Sequence, residues 1–114
     1  GSTVTLVNQI ENEGFLQPAF SPDGNYVYYI IADKGIGTLY QIPTLGGSPK
    51  KLVNDVDSKI TFSPDGKQIA FRRRDAQTGV ESIFIANNDG TNEKAFISTK
   101  DLDVKGFNEV AWSP

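Results

Sequence analysis

Ser21-Pro22-Asp23-Gly24 is repeated, roughly 40 residues further along the chain, as Ser63-Pro64-Asp65-Gly66. An aromatic residue directly precedes each copy, and Ser113-Pro114, after Trp112, begins a third. A supersecondary unit that recurs about every 40 to 50 residues is typical of β-propeller blades and of similar repeat proteins. The repeat therefore predicts an array of one structural unit, and we interpret the chain of 114 residues as a piece of a longer array.

The repeated tetrapeptide has the composition of a type I turn. Such turns favour Ser or Asp at the first position, Pro at the second and Gly at the fourth, and both copies meet all three preferences. Proline sets its own backbone angle in advance, and glycine adopts a positive φ at little cost. Asp23 and Asp65 are therefore predicted to bond to nearby backbone amides and to hold the turn, with no part in catalysis.

Each repeat is predicted to form four short antiparallel strands, so the predicted fold class is all-β, with four-stranded β-propeller blades and no substantial helix. The strands of the first repeat are predicted at 17–21, 26–32, 38–42 and 50–53, and those of the second at 60–63, 68–73, 82–86 and 93–97. The predicted organisation is the last strand of a preceding blade and its link at 1–15, a first full blade at 16–53, a second at 54–98, and a link with the first strand of a further blade at 99–114.

The composition excludes several kinds of chemistry. The chain has no cysteine and no histidine, which excludes disulfides, thiol catalysis, zinc–thiolate sites and Ser-His-Asp catalysis within it. A net charge of −3 argues against a nucleic-acid partner. The longest apolar stretch, at 26–32, is too short to span a membrane, and no direct membrane contact is expected. We expect no enzymatic activity, no catalytic residue, no metal and no cofactor.

Acidic residues alternate in each predicted link between blades. Such links gather on one face of a propeller, where a ring of carboxylates could attract a cation, calcium in particular, or a basic peptide. The alternative is that they are solvated loop acids or partners of lysines, since their spacing matches no calcium-binding loop. The six residues of this candidate ligand face are Glu11, Glu13, Asp55, Asp57, Asp101 and Asp103.

Two further groups of residues allow a functional and a structural interpretation. The run Arg72-Arg73-Arg74 could bind phosphate or carboxylate groups, or it could pair with Asp55, Asp57 or Asp75. The tyrosines could form an aromatic platform for a ligand, or they could pack between blades. These tyrosines are Tyr26, Tyr28, Tyr29 and Tyr40.

A structural role is expected for the aromatic residues before the turns, which are Phe20, Phe62 and Trp112. The segment 35–37 is interpreted as a loop.

The segments at 18–24 and 60–71 resemble the TolB-type, WD-like β-propeller repeat, and 83–90 continues its pattern of an apolar strand followed by Asp-Gly. The likeness covers about residues 16 to 114, and 39–52 is similar to propellers attached to bacterial receptor-type serine/threonine kinases. The resemblance implies roles as periplasmic protein-binding modules, sensor domains or substrate-gating domains of serine peptidases. It brings no catalytic residues, and it implies a full propeller of about six or seven blades.

Three hypotheses for the function follow. The first is a non-catalytic module that binds a protein or peptide, or senses a ligand, in a periplasmic or other extracytoplasmic location favoured by the resemblance. The second is a fragment of the substrate-gating propeller of a serine peptidase. The third is a fragment made to study propeller assembly, with no activity of its own. Two blades would leave apolar faces bare, so we also expect self-association into a homo-oligomer.

Overall fold

The computed structural model describes residues 15–102 and 111–112. The strand expected to precede the first blade lies outside these residues. So does most of the strand expected at the end of the chain, and residues 111 and 112 are in no strand.

The described residues form two four-stranded antiparallel sheets, each with its strands in sequence order. Chain contacts divide the protein into two compact units, the first ending at Val56 and the second beginning at Asp57. We call the two sheets the first and the second blade. The predicted all-β class and the four-stranded antiparallel blades are confirmed. The strands of the first blade are β1 (Phe15–Phe20), β2 (Tyr26–Asp33), β3 (Ile36–Pro43) and β4 (Lys50–Asn54). Those of the second are β5 (Thr61–Phe62), β6 (Gln68–Arg74), β7 (Glu81–Asn87) and β8 (Lys94–Ser98), followed by the single-turn helix α1 (Thr99–Leu102).

The strand boundaries differ from the predicted ones most clearly between β2 and β3. Lys34 and Gly35 both have positive φ, 53° and 81°, and form a two-residue hairpin turn. The interpretation of 35–37 as a loop is therefore wrong, because Ile36 and Gly37 already belong to β3 and pair with Asp33 and Ala32. A turn this short leaves no residues for a loop.

The predicted turns connect the first two strands of each blade in the same way. The Gly24 N–H donates to the Ser21 carbonyl oxygen at 2.9 Å, and the Gly66 N–H donates to the Ser63 carbonyl oxygen at 2.8 Å. Gly24 and Gly66 have φ values of 77° and 73°, which favour glycine. Each glycine therefore closes a four-residue turn and directs the chain into the following strand.

Substitution of Gly66 tests this local explanation of the fold. We expect Gly66→Val to lower the free energy of unfolding by roughly 1–3 kcal/mol, because a β-branched residue resists positive φ. The matched control is Gln77→Val, which places the same side chain in the exposed loop between β6 and β7. Thermal unfolding of both variants measures the difference. Equal melting temperatures would contradict the role of Gly66 in the turn.

An aromatic pair lies at the same place in both blades, between the second and third strands. In the first blade Tyr29 and Tyr40 are paired across β2 and β3, and their rings stack with centroids 5.5 Å apart. In the second blade Phe71 and Phe84 stack in the same way at 5.9 Å. Tyr29 and Phe71 are both buried. The pair is therefore part of the scaffold of the repeat, since cross-strand aromatic contacts stabilise sheets.

Candidate functional site

The aspartates of the two Ser-Pro-Asp-Gly turns make the same local hydrogen bonds. The Asp23 carboxylate accepts bonds from the Ser21 hydroxyl at 2.6 Å and from the Asn25 backbone N–H at 2.9 Å. In the second blade Asp65 accepts the equivalent bonds, at 2.7 Å and 3.0 Å. The serine hydroxyl in turn accepts the backbone N–H that opens the next strand. Each aspartate thus holds a turn to the strand that follows it.

These bonds favour the ionised form of the two aspartates. The serine hydroxyl, followed by the backbone N–H two residues beyond the aspartate, holds the pKa of both Asp23 and Asp65 below the ordinary value for aspartate. General acid–base catalysis near neutral pH needs a group whose pKa lies close to the working pH. A carboxylate with a lowered pKa is therefore poorly suited to that task, which agrees with the structural role expected for Asp23 and Asp65.

In the link that enters the second blade, Asp57 and Ser58 hold the end of β6. The Asp57 N–H donates to the Arg72 carbonyl oxygen at 2.9 Å, and its carboxylate accepts the Arg74 N–H at 2.8 Å. The Ser58 hydroxyl accepts the Arg72 N–H at 2.8 Å. The link thereby satisfies backbone groups of β6 that the two-residue strand β5 does not reach. This role of Asp57 is structural.

The other acids of the candidate ligand face divide into two sets. Asp101 is exposed and lies in α1, where it exchanges 3.1 Å hydrogen bonds with Ser98, the reciprocal arrangement of a capping box. Asp55 has a positive φ of 58° in the link after β4. Glu11, Glu13 and Asp103 lie outside the described residues. Within residues 15–102 and 111–112, no three acidic side chains come together as metal ligands. That these links hold a ligand stays a prediction.

The arginine run pairs with glutamates of neighbouring segments. Arg72 lies 3.5 Å from the Glu81 carboxylate, and Arg73 lies 2.8 Å from that of Glu93. The Arg73 guanidinium also lies over the Phe84 ring, 4.2 Å from its centroid. The sequence alone did not suggest these glutamates, because the pairing depends on the strand register, which sets Arg73 opposite Ser82 and next to Phe84. A side chain held in this way is a stabilising contact of the second blade.

The aromatic side chains are mostly engaged in packing. Tyr28 is buried, and its hydroxyl accepts a bond from the Gln41 side-chain amide at 2.9 Å. Trp112 is half-buried, and its indole N–H donates to the Thr61 carbonyl oxygen at 3.2 Å. Phe20 differs from this pattern, since 56% of it is exposed.

An open depression lies on the second blade, next to β8. We call it the β8 depression, and its volume is about 540 Å³. Phe96 at its border is 70% exposed and is the extra residue of a β-bulge, since Ile97 pairs with Ile83 and Ala95 with Phe84. The lining residues are Gln68, Ile85, Asn87, Asn92, Lys94, Ala95 and Phe96.

The two blades differ at one cross-strand pair that includes Ile85 of the lining. In the first blade Tyr28 stands opposite Gln41, and the two side chains are hydrogen-bonded. The equivalent pair in the second blade is Ala70 opposite Ile85. The side chain opposite Ile85 is therefore much smaller than its equivalent in the first blade, Tyr28.

Several polar groups of the depression are available to a ligand. Among the described residues, the side chains of Gln68, Asn92 and Lys94 make no hydrogen bond or ion pair, and all three are exposed. The Asn87 side chain is half-buried and donates to the Thr91 hydroxyl at 3.0 Å. Two amides and an ammonium group next to an exposed aromatic ring can bind a peptide backbone, a carboxylate and an apolar side chain. The sequence offered one signal for this site, a phenylalanine at 96 two positions after Lys94, which does not stand out without the strand register.

Similarity to known proteins covers more than half of the chain. No protein-family model matches the sequence. Over 72 residues, or 61% of this chain, the sequence is 31% identical to the Tol-Pal system protein TolB of Francisella tularensis subsp. mediasiatica and of subsp. holarctica. This similarity agrees with the resemblance to the TolB-type repeat that the sequence shows. The match spans 17% of the length of those TolB proteins.

Two solved structures show the same fold. The β-propeller domain of the Trilobed protease from Pyrococcus furiosus matches with a TM-score of 0.58 and 23% identity, covering 74% of this chain and 27% of that one. The acylaminoacyl peptidase of Pyrococcus horikoshii matches with a TM-score of 0.57 and 25% identity, covering 74% of this chain and 14% of that one. The TolB-type repeat here is therefore a segment of a β-propeller fold that also occurs in peptidases. In the part of the chain that the structure describes, no helix is long and apolar enough to cross a membrane.

Proposed function

We propose that this chain is a non-catalytic segment of a β-propeller and that it binds a protein or peptide at the β8 depression. The observation that carries the proposal is the β8 depression itself, where the side chains of Gln68, Asn92 and Lys94, which make no hydrogen bond or ion pair among the described residues, lie beside the exposed Phe96. Exposed aromatic side chains with nearby polar groups are typical anchors of protein interfaces. The similarity to TolB supports an extracytoplasmic location as part of the same proposal.

The composition of the chain and the contacts of its charged side chains support the proposal that it is non-catalytic. The chain contains neither histidine nor cysteine, and the aspartates of the turns are ionised and bonded to the local backbone. Charged side chains such as Arg73 and Glu93 are paired with one another. The Ser21 and Ser63 hydroxyls do lie against carboxylates, but each also accepts a backbone N–H group, so both are engaged in holding the turns.

A second candidate function is supported by the structural comparisons, since both solved propellers belong to peptidases. On this alternative the two blades form part of a propeller that gates access to a peptidase domain elsewhere in a longer protein. A Gly-x-Ser-x-Gly segment next to this sequence in its gene would favour that alternative.

Selection of ligands from a random peptide library tests the binding proposal. The library is displayed on phage and selected on the immobilised chain, and the affinities of enriched peptides are then measured by calorimetry. We expect Phe96→Ser to weaken binding by about tenfold or more, because an exposed aromatic anchor carries much of the energy of such contacts. Leu45→Ser is the control, since Leu45 is 91% exposed but lies on the first blade. A selection without enriched peptides, or equal binding to Phe96→Ser and the native chain, would refute the proposal.

A further inference from the structure

We infer that the partner docks along the edge of β8 as an added strand, and that it is an extended peptide with a carboxylate placed to pair with Lys94. This inference rests on the function proposed above and adds the binding mode and the chemistry of the partner. Strand addition to a sheet edge is an established mode of peptide recognition, in which backbone hydrogen bonds supply affinity and side-chain contacts supply specificity.

Both β4 and β8 are the last strands of their sheets, but β4 carries two adjacent lysines and β8 only one. In β4 the residues that pair with Gln41 and Tyr40 are Lys50 and Lys51, both exposed. Adjacent lysines on an edge strand oppose the approach of another strand. In β8 the equivalent positions are Lys94 and Ala95, which pair with Ile85 and Phe84. The second lysine is therefore missing from β8.

The length of β8 suits a short peptide. The strand has five residues, Lys94–Ser98, and within residues 15–102 and 111–112 no strand pairs with its outer edge. Its last residue, Ser98, exchanges hydrogen bonds with Asp101 at the start of α1. These bonds end the strand at a defined point. The edge is also continuous with the β8 depression, because Lys94, Ala95 and Phe96 belong to both. A docked strand would therefore lie with its side chains beside the depression.

The charge around the depression favours an acidic partner. Lys94 is the one charged residue in the lining, and no carboxylate lines the depression within the described residues. The neighbouring Glu93 is held by Arg73 at 2.8 Å, so its charge is compensated. Lys94 makes no ion pair among the described residues, and it can accept a partner carboxylate without losing an existing contact. Phe96 and Ile85 beside it match an apolar side chain of the same peptide.

Two peptides and two variants test the inference. The peptides are capped six-residue segments of alternating threonine and valine that differ only at one central position, which is glutamate in one and glutamine in the other. Binding to the full chain is followed by the chemical shifts and the hydrogen-exchange protection of the β8 amides. We expect the glutamate peptide to bind about fivefold more tightly, as for an exposed ion pair near 1 kcal/mol, and Lys94→Gln to abolish that preference.

The second variant separates strand pairing from simple attraction between charges. Ala95→Lys places on β8 the lysine that β4 carries at the equivalent position, and Ala95 is exposed, so the blade should tolerate it. If the peptide adds to the edge, Ala95→Lys weakens the binding of both peptides, although it raises the positive charge. If charge alone attracts the peptide, Ala95→Lys strengthens binding of the glutamate peptide, and the inference is wrong.

The remaining outcomes distinguish this inference from the proposed function. One outcome is that binding of the library peptides depends on Phe96 while the preference for the glutamate peptide survives Lys94→Gln. This outcome would support the proposed binding function and refute the inference of an acidic peptide that pairs with Lys94. Failure of both the library and the two peptides would refute both. A concentration-dependent dimer in sedimentation that Ala95→Lys dissociates would place a second copy of this chain on β8, and would also overturn the inference.

Discussion

Phe71→Ala is expected to lower the free energy of unfolding by about 3–5 kcal/mol, the usual cost of removing a buried phenylalanine ring. Phe71 is completely buried, and its ring stacks on Phe84 with centroids 5.9 Å apart. The Arg73 guanidinium lies 5.5 Å from the centre of the same ring. Removal of the ring therefore creates a cavity in the centre of the second blade and weakens the contacts of two neighbouring side chains. Few other single substitutions in this chain should have as large an effect.

Chemical denaturation with urea measures this loss. The control is Phe96→Ala, which removes the same side chain from a position that is 70% exposed and should change stability by no more than about 0.5 kcal/mol. Similar midpoints for Phe71→Ala and the native protein would show that the second blade does not depend on this aromatic pair. A large loss in Phe96→Ala would instead mean that Phe96 is covered in solution.

Much of the fold could be predicted from the sequence because its decisive information is local. Ser-Pro-Asp-Gly contains, within four residues, the groups that close the turn, and the observed bonds of Asp23 and Asp65 involve residues no more than two positions away. The repeat then fixes the spacing of the strands, and alternation with turn residues at both ends marks most of their limits. The regular all-β architecture follows from these short-range features.

The candidate site could not be predicted, because it depends on contacts between strands. Arg73 binds Glu93, about 20 residues away, only because the register of β6 and β7 and the bulge in β8 bring both to one place. The lining of the β8 depression brings together residues of β6, β7 and β8 that are unremarkable in the sequence. Local patterns do not reveal the size of an empty space, which is the sum of side chains from several strands.

The role of Asp101 in the short helix α1 also could not be predicted from the sequence alone. Ser98 and Asp101 satisfy the spacing of a capping box, with an acidic residue three positions after a serine. The same aspartate also belongs to one of the acidic pairs from which a ligand face was predicted. One residue supports both interpretations, and only the observed hydrogen bonds show that its carboxylate closes a turn of helix.

Gly37→Ala is the other substitution from which we expect a large effect, a loss of about 3 kcal/mol in the free energy of unfolding, at the upper end for overpacking. A Cβ atom at this position would overlap the Val56 carbonyl oxygen and stand 2.9 Å from the Ile30 Cγ2 atom. The backbone cannot move away easily, because the Val56 N–H donates to the Gly37 carbonyl oxygen at 2.8 Å and Val56 is buried. The absence of a side chain at Gly37 therefore allows the link after β4 to lie directly against β3.

Gly35→Ala separates this close contact from the general effect of replacing a glycine. Gly35 has a positive φ of 81°, but a Cβ atom there would meet nothing within 4 Å, so its replacement should cost only about 1 kcal/mol of backbone strain. Thermal and urea unfolding of both variants give the comparison. If Gly37→Ala is no more damaging than Gly35→Ala, the link does not lie against β3 as closely as the structure shows. In the second blade the position equivalent to Gly37 is Glu81, opposite Arg74, so the first blade alone requires a glycine at this point.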